Sequence, residues 1–225
     1  MSIQMDDARL SDSPYIDRVT YGRTLAAGFA IRPAEVNWHM VVVKYQGNTE
    51  LRIPGPYATS GVVTFPAGAE ILWIRFKVGV YMPHLLTRQL LDNEMTLPNA
   101  SDNTFWLHST AWQFPNYENV DTFVQHLIHE EILTVEPTVN ATLNGEQPDI
   151  SPRTLRHRFL QTTGISQNDI YQIHRAQQAA ALLRAGVPIL DTIEQTGYYD
   201  QPHLTRYLKK LIGYTPAQIL IDSDS

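Results

Sequence analysis

The sequence predicts an α+β protein, in which a β-rich N-terminal region is followed by an all-α C-terminal region. Three patterns lead to this fold class. Short strand-like segments separated by Gly and Pro turns fill residues 19–80, a helical unit occurs twice after residue 150, and a long helical segment joins its two copies. A chain of 225 residues, 43% of them hydrophobic, is long enough for two domains with separate cores.

The N-terminal region alternates between strand and turn patterns. Strands are predicted at residues 38–45, 49–53, 62–65 and 70–76. Short strands between Gly and Pro turns favour a small antiparallel barrel or sandwich, here over residues 19–116. The polar residues 1–18 are expected to form a flexible N-terminus. Residues 82–91 have a helical pattern, and Pro115 begins a boundary segment.

The best-defined helical segment lies within residues 197–216. Asp200 is a good N-cap, Pro202 fits the first turn, and Gly213 ends the helix. One face is apolar and is formed by Leu204, Leu208, Leu211 and Ile212. The opposite face is basic, so this segment is predicted to be an amphipathic helix with a cationic surface.

A second copy of this segment begins at Ser151. Ser151, Leu155, Phe159, Gly164 and Ser166 each lie 49 residues before their counterparts Asp200, Leu204, Leu208, Gly213 and Thr215. A supersecondary unit repeated at one fixed offset indicates that two capped helices present equivalent faces.

The two copies resemble the AraC/XylS family of bacterial transcription regulators. The first reads S-x-R-x-L-x-x-x-F-x-x-x-x-G, and after a long helix the second reads G-Y-x-D-Q-x-H-L-x-R-x-L-K-x-x-x-G-x-T-P. The resemblance covers about the last 100 residues. It implies two helix-turn-helix units, each with a recognition helix for the DNA major groove. Thr192, Ile193 and Thr196 depart from the family's aliphatic and Ala positions, and the turn at residues 145–150 is longer than usual.

Helical patterns supply the rest of a DNA-binding domain at residues 119–221. Scaffold helices are predicted at residues 121–133 and 137–143, and a helix of about 17–20 residues starts at the capping box of Ser166 and ends at Gly186. The helix-turn-helix units then span about 119–164 and 187–214. The region before them is similar, loosely, to the cupin-like sensor domain that often precedes this DNA-binding domain.

The side chains expected to face DNA are cations and hydrogen-bond donors on the exposed sides of the two repeated helices. They are Arg153, Arg156, His157, Gln201, His203, Thr205, Arg206, Lys209 and Lys210. Arg matches the two acceptors of guanine, Thr bonds bases or phosphates, and Lys suits phosphate oxygens. Arg158, Arg175 and Tyr207 flank these faces, where they either serve the scaffold, through ion pairs or packing, or contact DNA.

The charge distribution fits a DNA-binding domain attached to a regulatory one. The net charge is −6, but residues 151–221 hold eight Lys/Arg against four Asp/Glu, whereas residues 1–150 hold nine against seventeen. Double-stranded DNA is the expected partner, with a small-molecule effector, a second copy of the chain and RNA polymerase as further candidates. Without a membrane-spanning run or a leader pattern, the expected location is the cytoplasm.

No cofactor, metal site or catalytic centre is expected. The chain has no cysteine, and its eight histidines do not form a cupin His-x-His pattern; His126 and His129 share a helix but lack a third ligand with a motif. Two alternatives remain open, an architectural DNA-binding protein and a cupin-like enzyme with a helical appendage. The aromatic residues Trp38, Tyr45, Trp73, Phe76, Phe105, Trp106 and Trp112 form either the core of the β-rich domain or an effector pocket.

Overall fold

A computed structural model describes residues 3–85 and 87–223 of the chain. Strands dominate the first half of the chain, and helices dominate the last third. In chain order the elements are β1 (Ile3–Leu10), β2 (Ile16–Thr24), β3 (Gly28–Arg32), β4 (His39–Tyr45), β5 (Asn48–Pro54), β6 (Gly61–Phe65), β7 (Glu70–Phe76), β8 (Val80–Tyr81), α1 (Thr87–Leu90), β9 (Glu94–Leu97), β10 (Asn99–Ser101), β11 (Thr104–Leu107), β12 (Thr110–Gln113), α2 (Val120–His129), β13 (Thr134–Val135), α3 (Pro137–Leu143), α4 (Pro152–Thr163), α5 (Gln167–Arg184), α6 (Ile189–Thr196), α7 (Gln201–Leu211) and α8 (Pro216–Ser223). The predicted α+β class, β-rich and then helical, is confirmed.

The chain divides into two compact units. Unit 1 holds the described residues of 1–28, 37–56 and 64–166, and unit 2 holds those of 29–36, 57–63 and 167–225. Unit 2 therefore combines the last four helices with two short segments from the first third of the chain.

Unit 1 is built on a six-stranded antiparallel sheet with the strand order β1-β2-β7-β4-β5-β9. Ile74 of the central strand pairs with Val19 on one side and with Met40 on the other, and all three side chains are fully buried. Alternation along these strands places one row of apolar side chains on the core face. The three-stranded sheet of β10, β11 and β12 adds Phe105 and Trp112 to the same core.

The predicted aromatic set belongs mainly to this core. Trp38 stacks on Phe76 with ring centroids 4.1 Å apart, and its indole Nε1 donates to the carbonyl of Val80 at 2.7 Å. Tyr45 and Trp73 pack on a smaller cluster, whereas Trp106 is 46% exposed. Packing of the sheet, not a pocket, accounts for most of the set.

The prediction of a flexible N-terminus at residues 1–18 is wrong for residues 3–10. They form β1, which pairs along its length with β2. Its side chains are mostly exposed, so no apolar pattern marks the strand, and backbone pairing holds it in place. Arg9 also reaches the carboxylate of Asp121 at 2.5 Å. Met1 and Ser2 lie outside the described residues.

The predicted domain boundary near residue 117 differs from the division of the chain. Helix α2 was expected to be a scaffold of the first helix-turn-helix unit, but Val120, Val124 and Leu127 are buried in the core of the β-rich sheet. The physical reason is that the apolar face of α2 completes that core. The helical pattern at residues 82–91 yields only the four residues of α1, and Leu86 lies outside the described residues.

Unit 2 is organised around α5, on which α6, α7 and α8 pack. The inward face of α5 was predicted at Ile170, Ile173, Ala176, Ala180 and Leu183, and all five are buried. Gly186 follows with φ +80°, a conformation that glycine adopts without strain, and so ends the helical run as predicted.

Candidate nucleic-acid interface

Helix α7 begins and ends where the sequence predicts. The Asp200 carboxylate accepts the backbone N–H of His203 at 2.7 Å, and Pro202 lies in the first turn. Gly213 has φ +91°, and its N–H bonds the carbonyl of Leu208 at 3.0 Å. The buried face consists of Leu204, Leu208, Leu211 and Ile212.

The opposite face of α7 carries the predicted DNA-facing side chains. Gln201, Arg206, Lys209 and Lys210 are exposed, and His203 and Thr205 are half-buried. The helix therefore presents donors and cations to solvent while its apolar side is sequestered in unit 2.

His203 has a fixed orientation at the start of α7. Its Nδ1 accepts the backbone N–H of Tyr199 at 3.4 Å, and its ring lies edge-on to Tyr198 and Tyr207. With Nδ1 occupied as an acceptor, the neutral imidazole carries its proton on Nε2. His203 is thus part of the aromatic support of the helix as well as a candidate donor.

The Arg175 side chain of α5 packs among three tyrosine rings, one of which belongs to α7. The Arg175 guanidinium of α5 lies 4.0 Å from the ring centroid of Tyr198 and 5.8 Å from those of Tyr171 and Tyr207. Such contacts stabilise a cation on the face of an aromatic ring. Burial raises the pKa of Tyr198 despite the opposing charge of Arg175. Of the two roles left open for Arg175 and Tyr207, packing is the one that these contacts favour.

Helix α6, the scaffold of the second unit, has threonines on its inward face. Thr192 is fully buried and Thr196 nearly so, at positions where the family has aliphatic residues. The Thr196 hydroxyl donates to the carbonyl of Thr192, but the Thr192 hydroxyl has no hydrogen-bond partner. The packing therefore tolerates one unsatisfied hydroxyl.

Helix α4 repeats the local design of α7. The Ser151 hydroxyl accepts the N–H of Thr154 at 3.1 Å, Phe159 is fully buried, and Gly164 closes the helix with φ +72°. Leu155, the other predicted anchor, is only half-buried.

The exposed face of α4 carries its three predicted DNA-facing residues. A shallow groove of about 870 Å³ runs along this face and is lined by Pro152, Arg153, Thr154, Arg156, His157 and Leu160. Two capped helices in the chain therefore present cationic, donor-rich faces at matching sequence positions.

Arg158 serves the scaffold of the first unit. Its guanidinium lies 3.0 Å from the Glu136 carboxylate and also donates to the Thr138 hydroxyl. These groups open α3, where Glu136 accepts the N–H of Thr138 as its N-cap. The ion pair joins α4 to α3, which confirms the scaffold alternative for Arg158.

Residues 3–85 and 87–223 contain no group of three or more His, Asp or Glu side chains that could hold a metal. His126 lies 3.7 Å from Glu130 and edge-on to Trp112. In the same part of the chain, none of the helices is both long and apolar enough to span a membrane.

Residues 146–220 match the family model described as a helix-turn-helix domain. The prediction of a helix-turn-helix domain is thereby confirmed for this part of the chain. Among solved structures, ToxT from Vibrio cholerae is similar at 11% identity and a TM-score of 0.34, over 98% of each chain. No curated protein sequence gives a significant match.

Proposed function

We propose that the protein is a sequence-specific transcription regulator that reads DNA with two helices, α4 and α7, and responds to an effector. The observation that carries this proposal is the repeated pair of capped helices with exposed cationic faces. An HTH recognition helix contacts base edges from its N-terminal residues, and in both helices those residues include predicted donors. The DNA contacts are assigned to residues 119–221, and the regulator acts in the cytoplasm.

Base reading and phosphate binding are assigned to different residues. Arg206 projects from the middle of the exposed face of α7, where its guanidinium can bond both acceptors of guanine. Gln201, His203 and Thr205 flank it, and Lys209 and Lys210 at the end of the helix suit phosphate oxygens. In α4, Arg153, Arg156 and His157 have the reading role.

Comparison of Arg206→Ala with Lys210→Ala tests this division. Arg206→Ala should cost about 1–3 kcal/mol of binding free energy on a selected operator and little on random DNA. Lys210→Ala should weaken both alike and reduce the salt slope by about 0.9. Fluorescence anisotropy on both DNAs at several salt concentrations measures this. Equal behaviour of the two variants would refute the assignment.

A single chain is proposed to read two different motifs. Helix α5 has 18 residues, a rod of about 27 Å, which suits recognition helices in successive major grooves about 34 Å apart. The motifs then lie about 10 base pairs apart and need not form a palindrome. Inserting five base pairs between them should abolish high-affinity binding, and unchanged binding would mean that one helix reads alone.

Effector binding is the part of the proposal that concerns unit 1. A cavity of about 350 Å³ lies on the sheet face among Tyr21, Lys44, Glu70 and Tyr117 and has polar and apolar walls. A larger groove of about 720 Å³ runs between β12 and α2. Thermal-shift screening of small metabolites, followed by operator binding with each hit, tests this part; a hit that leaves DNA affinity unchanged does not support it.

The two alternative functions have separate tests. An architectural protein would bind many sequences alike, so selection from random DNA would return no motif. A cupin-like enzyme would carry a metal in stoichiometric amount, which elemental analysis of the purified protein measures. The helix-turn-helix match favours DNA binding over the enzyme, and DNA selection decides between the other two functions.

A further inference from the structure

Part of the unit that contains α7 comes from the N-terminal third of the chain. Residues 29–36 and 57–63, here named the ribbon, belong to unit 2 together with α5 to α8. The backbones of Glu35 and Tyr57 exchange two hydrogen bonds of 2.9 and 2.7 Å. The Arg32 guanidinium lies 3.1 Å from the centroid of the Tyr57 ring. The two ribbon segments therefore hold each other, and the local sequence patterns give no sign that they join the helical unit.

The ribbon bonds the last carbonyl groups of α7. The N–H of Ala34 donates to the carbonyl of Leu211 at 2.6 Å, and the N–H of Ser60 donates to that of Lys210 at 2.9 Å. The Ser60 hydroxyl adds contacts of 3.0 and 3.3 Å to the carbonyls of Lys210 and Lys209. The last four carbonyls of a helix have no partner within it, so the ribbon supplies partners that the helix itself lacks.

The ribbon is also fixed to α5 and fits closely against the residue that ends α7. The Gln177 side-chain amide donates to the carbonyl of Ala34 at 3.2 Å. At Gly213, an added Cβ would lie 2.4 Å from Cγ2 of Ile31 and 3.4 Å from Cβ of Ser60. Glycine is needed there both for its φ of +91° and for the approach of Ile31.

The docked ribbon does not occupy the predicted reading face. Its contacts are made to backbone carbonyls at the C-terminal end of α7, and the side chains of Arg206, Lys209 and Lys210 remain exposed. The conformation with the ribbon docked is therefore compatible with DNA reading.

We propose that the C-terminal end of α7, from the Lys209 carbonyl to Gly213, is a docking site for the ribbon, and that a docked ribbon is required for α7 to read DNA. The DNA part of this inference rests on the proposed function. The functional DNA-binding unit then comprises residues 29–36 and 57–63 as well as the C-terminal helices. Because β3 and β6 alternate along the chain with strands of the β-rich sheet, the N-terminal region is covalently connected to the support of α7.

The test uses the full chain with the double substitution Ile31→Ala/Ser60→Ala. It removes the Ile31 methyl group beside Gly213 and the Ser60 hydroxyl contacts to the carbonyls of Lys209 and Lys210, so that the backbone N–H bonds of Ala34 and Ser60 are left without this side-chain support. Its matched control is Phe29→Ala/Val62→Ala, at ribbon positions that are 71% and 66% exposed. Gln177→Ala, which removes the bond from α5, should act in the same direction as the first variant.

The first measurement is amide hydrogen exchange by NMR, which does not depend on DNA binding. In the wild type the amides of Ala34 and Ser60 should be protected. In Ile31→Ala/Ser60→Ala they should exchange about tenfold faster or more, the equivalent of about one net hydrogen bond. The amides of β4 and β7 in unit 1 should be unchanged, which shows that the variant is folded. Unprotected Ala34 and Ser60 amides in the wild type would overturn the docking.

The second measurement is affinity for the selected two-motif operator. Ile31→Ala/Ser60→Ala should bind this operator about tenfold more weakly than the wild type does. Its affinity should approach that of the wild type for an operator in which the α7 motif is scrambled. The control Phe29→Ala/Val62→Ala should bind like the wild type. Faster exchange with unchanged operator affinity would overturn the requirement for docking. If the wild type binds no DNA, the proposed function fails, whereas the exchange of Ala34 and Ser60 still decides the docking.

Discussion

Removal of the N-cap of α7 and removal of the N-cap of α4 should destabilise different units, which provides a test of the structure. Asp200→Ala leaves the N–H of His203 without the carboxylate that it bonds at 2.7 Å. Loss of a cap costs about 1 kcal/mol, and loss of a negative charge at a helix N-terminus a further 0.3–1 kcal/mol or so. We expect a total of about 1–2 kcal/mol, because Asp200 is exposed and water replaces part of the bond. Asp200→Asn keeps the acceptor and should lose only the smaller part.

The positions of the tryptophans allow the two units to be followed separately. Trp38, Trp73, Trp106 and Trp112 all lie in unit 1, so tryptophan fluorescence follows unit 1. Helical circular dichroism follows both units, with 45 helical residues in α5 to α8 of unit 2 and 33 in α1 to α4 of unit 1. In urea titrations, Asp200→Ala should move the larger, unit 2 part of the circular-dichroism transition to lower urea and leave the tryptophan fluorescence transition in place.

Ser151→Ala is the matched variant. In the wild type the Ser151 hydroxyl caps α4 by accepting the N–H of Thr154 at 3.1 Å. Because α4 belongs to unit 1, loss of this hydroxyl should move the fluorescence transition. Equal destabilisation by Asp200→Asn and Asp200→Ala would refute the capping argument. Movement of the fluorescence transition by Asp200→Ala would refute the independence of the two units in unfolding.

The remaining predictions concern one unsatisfied hydroxyl, one ion pair and one titrating carboxylate. Thr192→Val should raise the stability of unit 2 by about 1 kcal/mol in the circular-dichroism titration, because it removes a buried hydroxyl without a partner; a loss of stability would mean that the hydroxyl is bonded. Arg158→Met should lower the stability of unit 1, with Arg156→Met, an exposed neighbour, as its neutral control. Partial burial opposes ionisation of Asp121, but hydrogen bonds from Ser11 and Arg9 outweigh it and lower its pKa. The stability that ionised Asp121 contributes is therefore present above its unfolded pKa of about 3.9 and is lost as pH falls through its lower folded pKa. The free energies of unfolding of wild type and Asp121→Asn should thus differ at pH 7 and converge in acid. A constant difference across pH would contradict this.

Features determined by neighbouring residues could be predicted from the sequence. The caps at Ser151 and Asp200, the helix Pro137–Leu143 and the strand Glu70–Phe76 were placed correctly. In each case the signal is local, since a capping side chain bonds an N–H three residues later and a strand alternates at every second residue.

Features determined by distant partners were missed. Strand β1 has mostly exposed side chains, and its pairing with β2 depends on backbone groups that every residue possesses. The face of α2 was predicted correctly, but amphipathicity does not say whether that face packs on a sheet or on other helices. The ribbon was missed for the same reason, since Ala34 and Ser60 act mainly through their N–H groups.

Helices α4 and α7 differ more in their supports than in their exposed faces. Helix α4 is joined to α3 by the Arg158–Glu136 ion pair, and its terminal Gly164 approaches α1 so closely that a Cβ would lie 3.3 Å from the carbonyl of Thr87. Helix α7 instead lies against the Arg175 guanidinium and its tyrosines, with the ribbon at its end.

What the copies share at the offset of 49 residues is the cap, the apolar anchors and the terminal glycine, which together fix the course of one exposed helix face. Packing alone does not explain this selection of shared features, because the partners packed against each helix are different. A function that requires the same kind of exposed, cation-bearing helix twice does explain it, and reading two DNA motifs is such a function. Since the supports are independent, substitutions at Arg158 and at Ile31 should each affect the reading of one motif and leave the other unchanged.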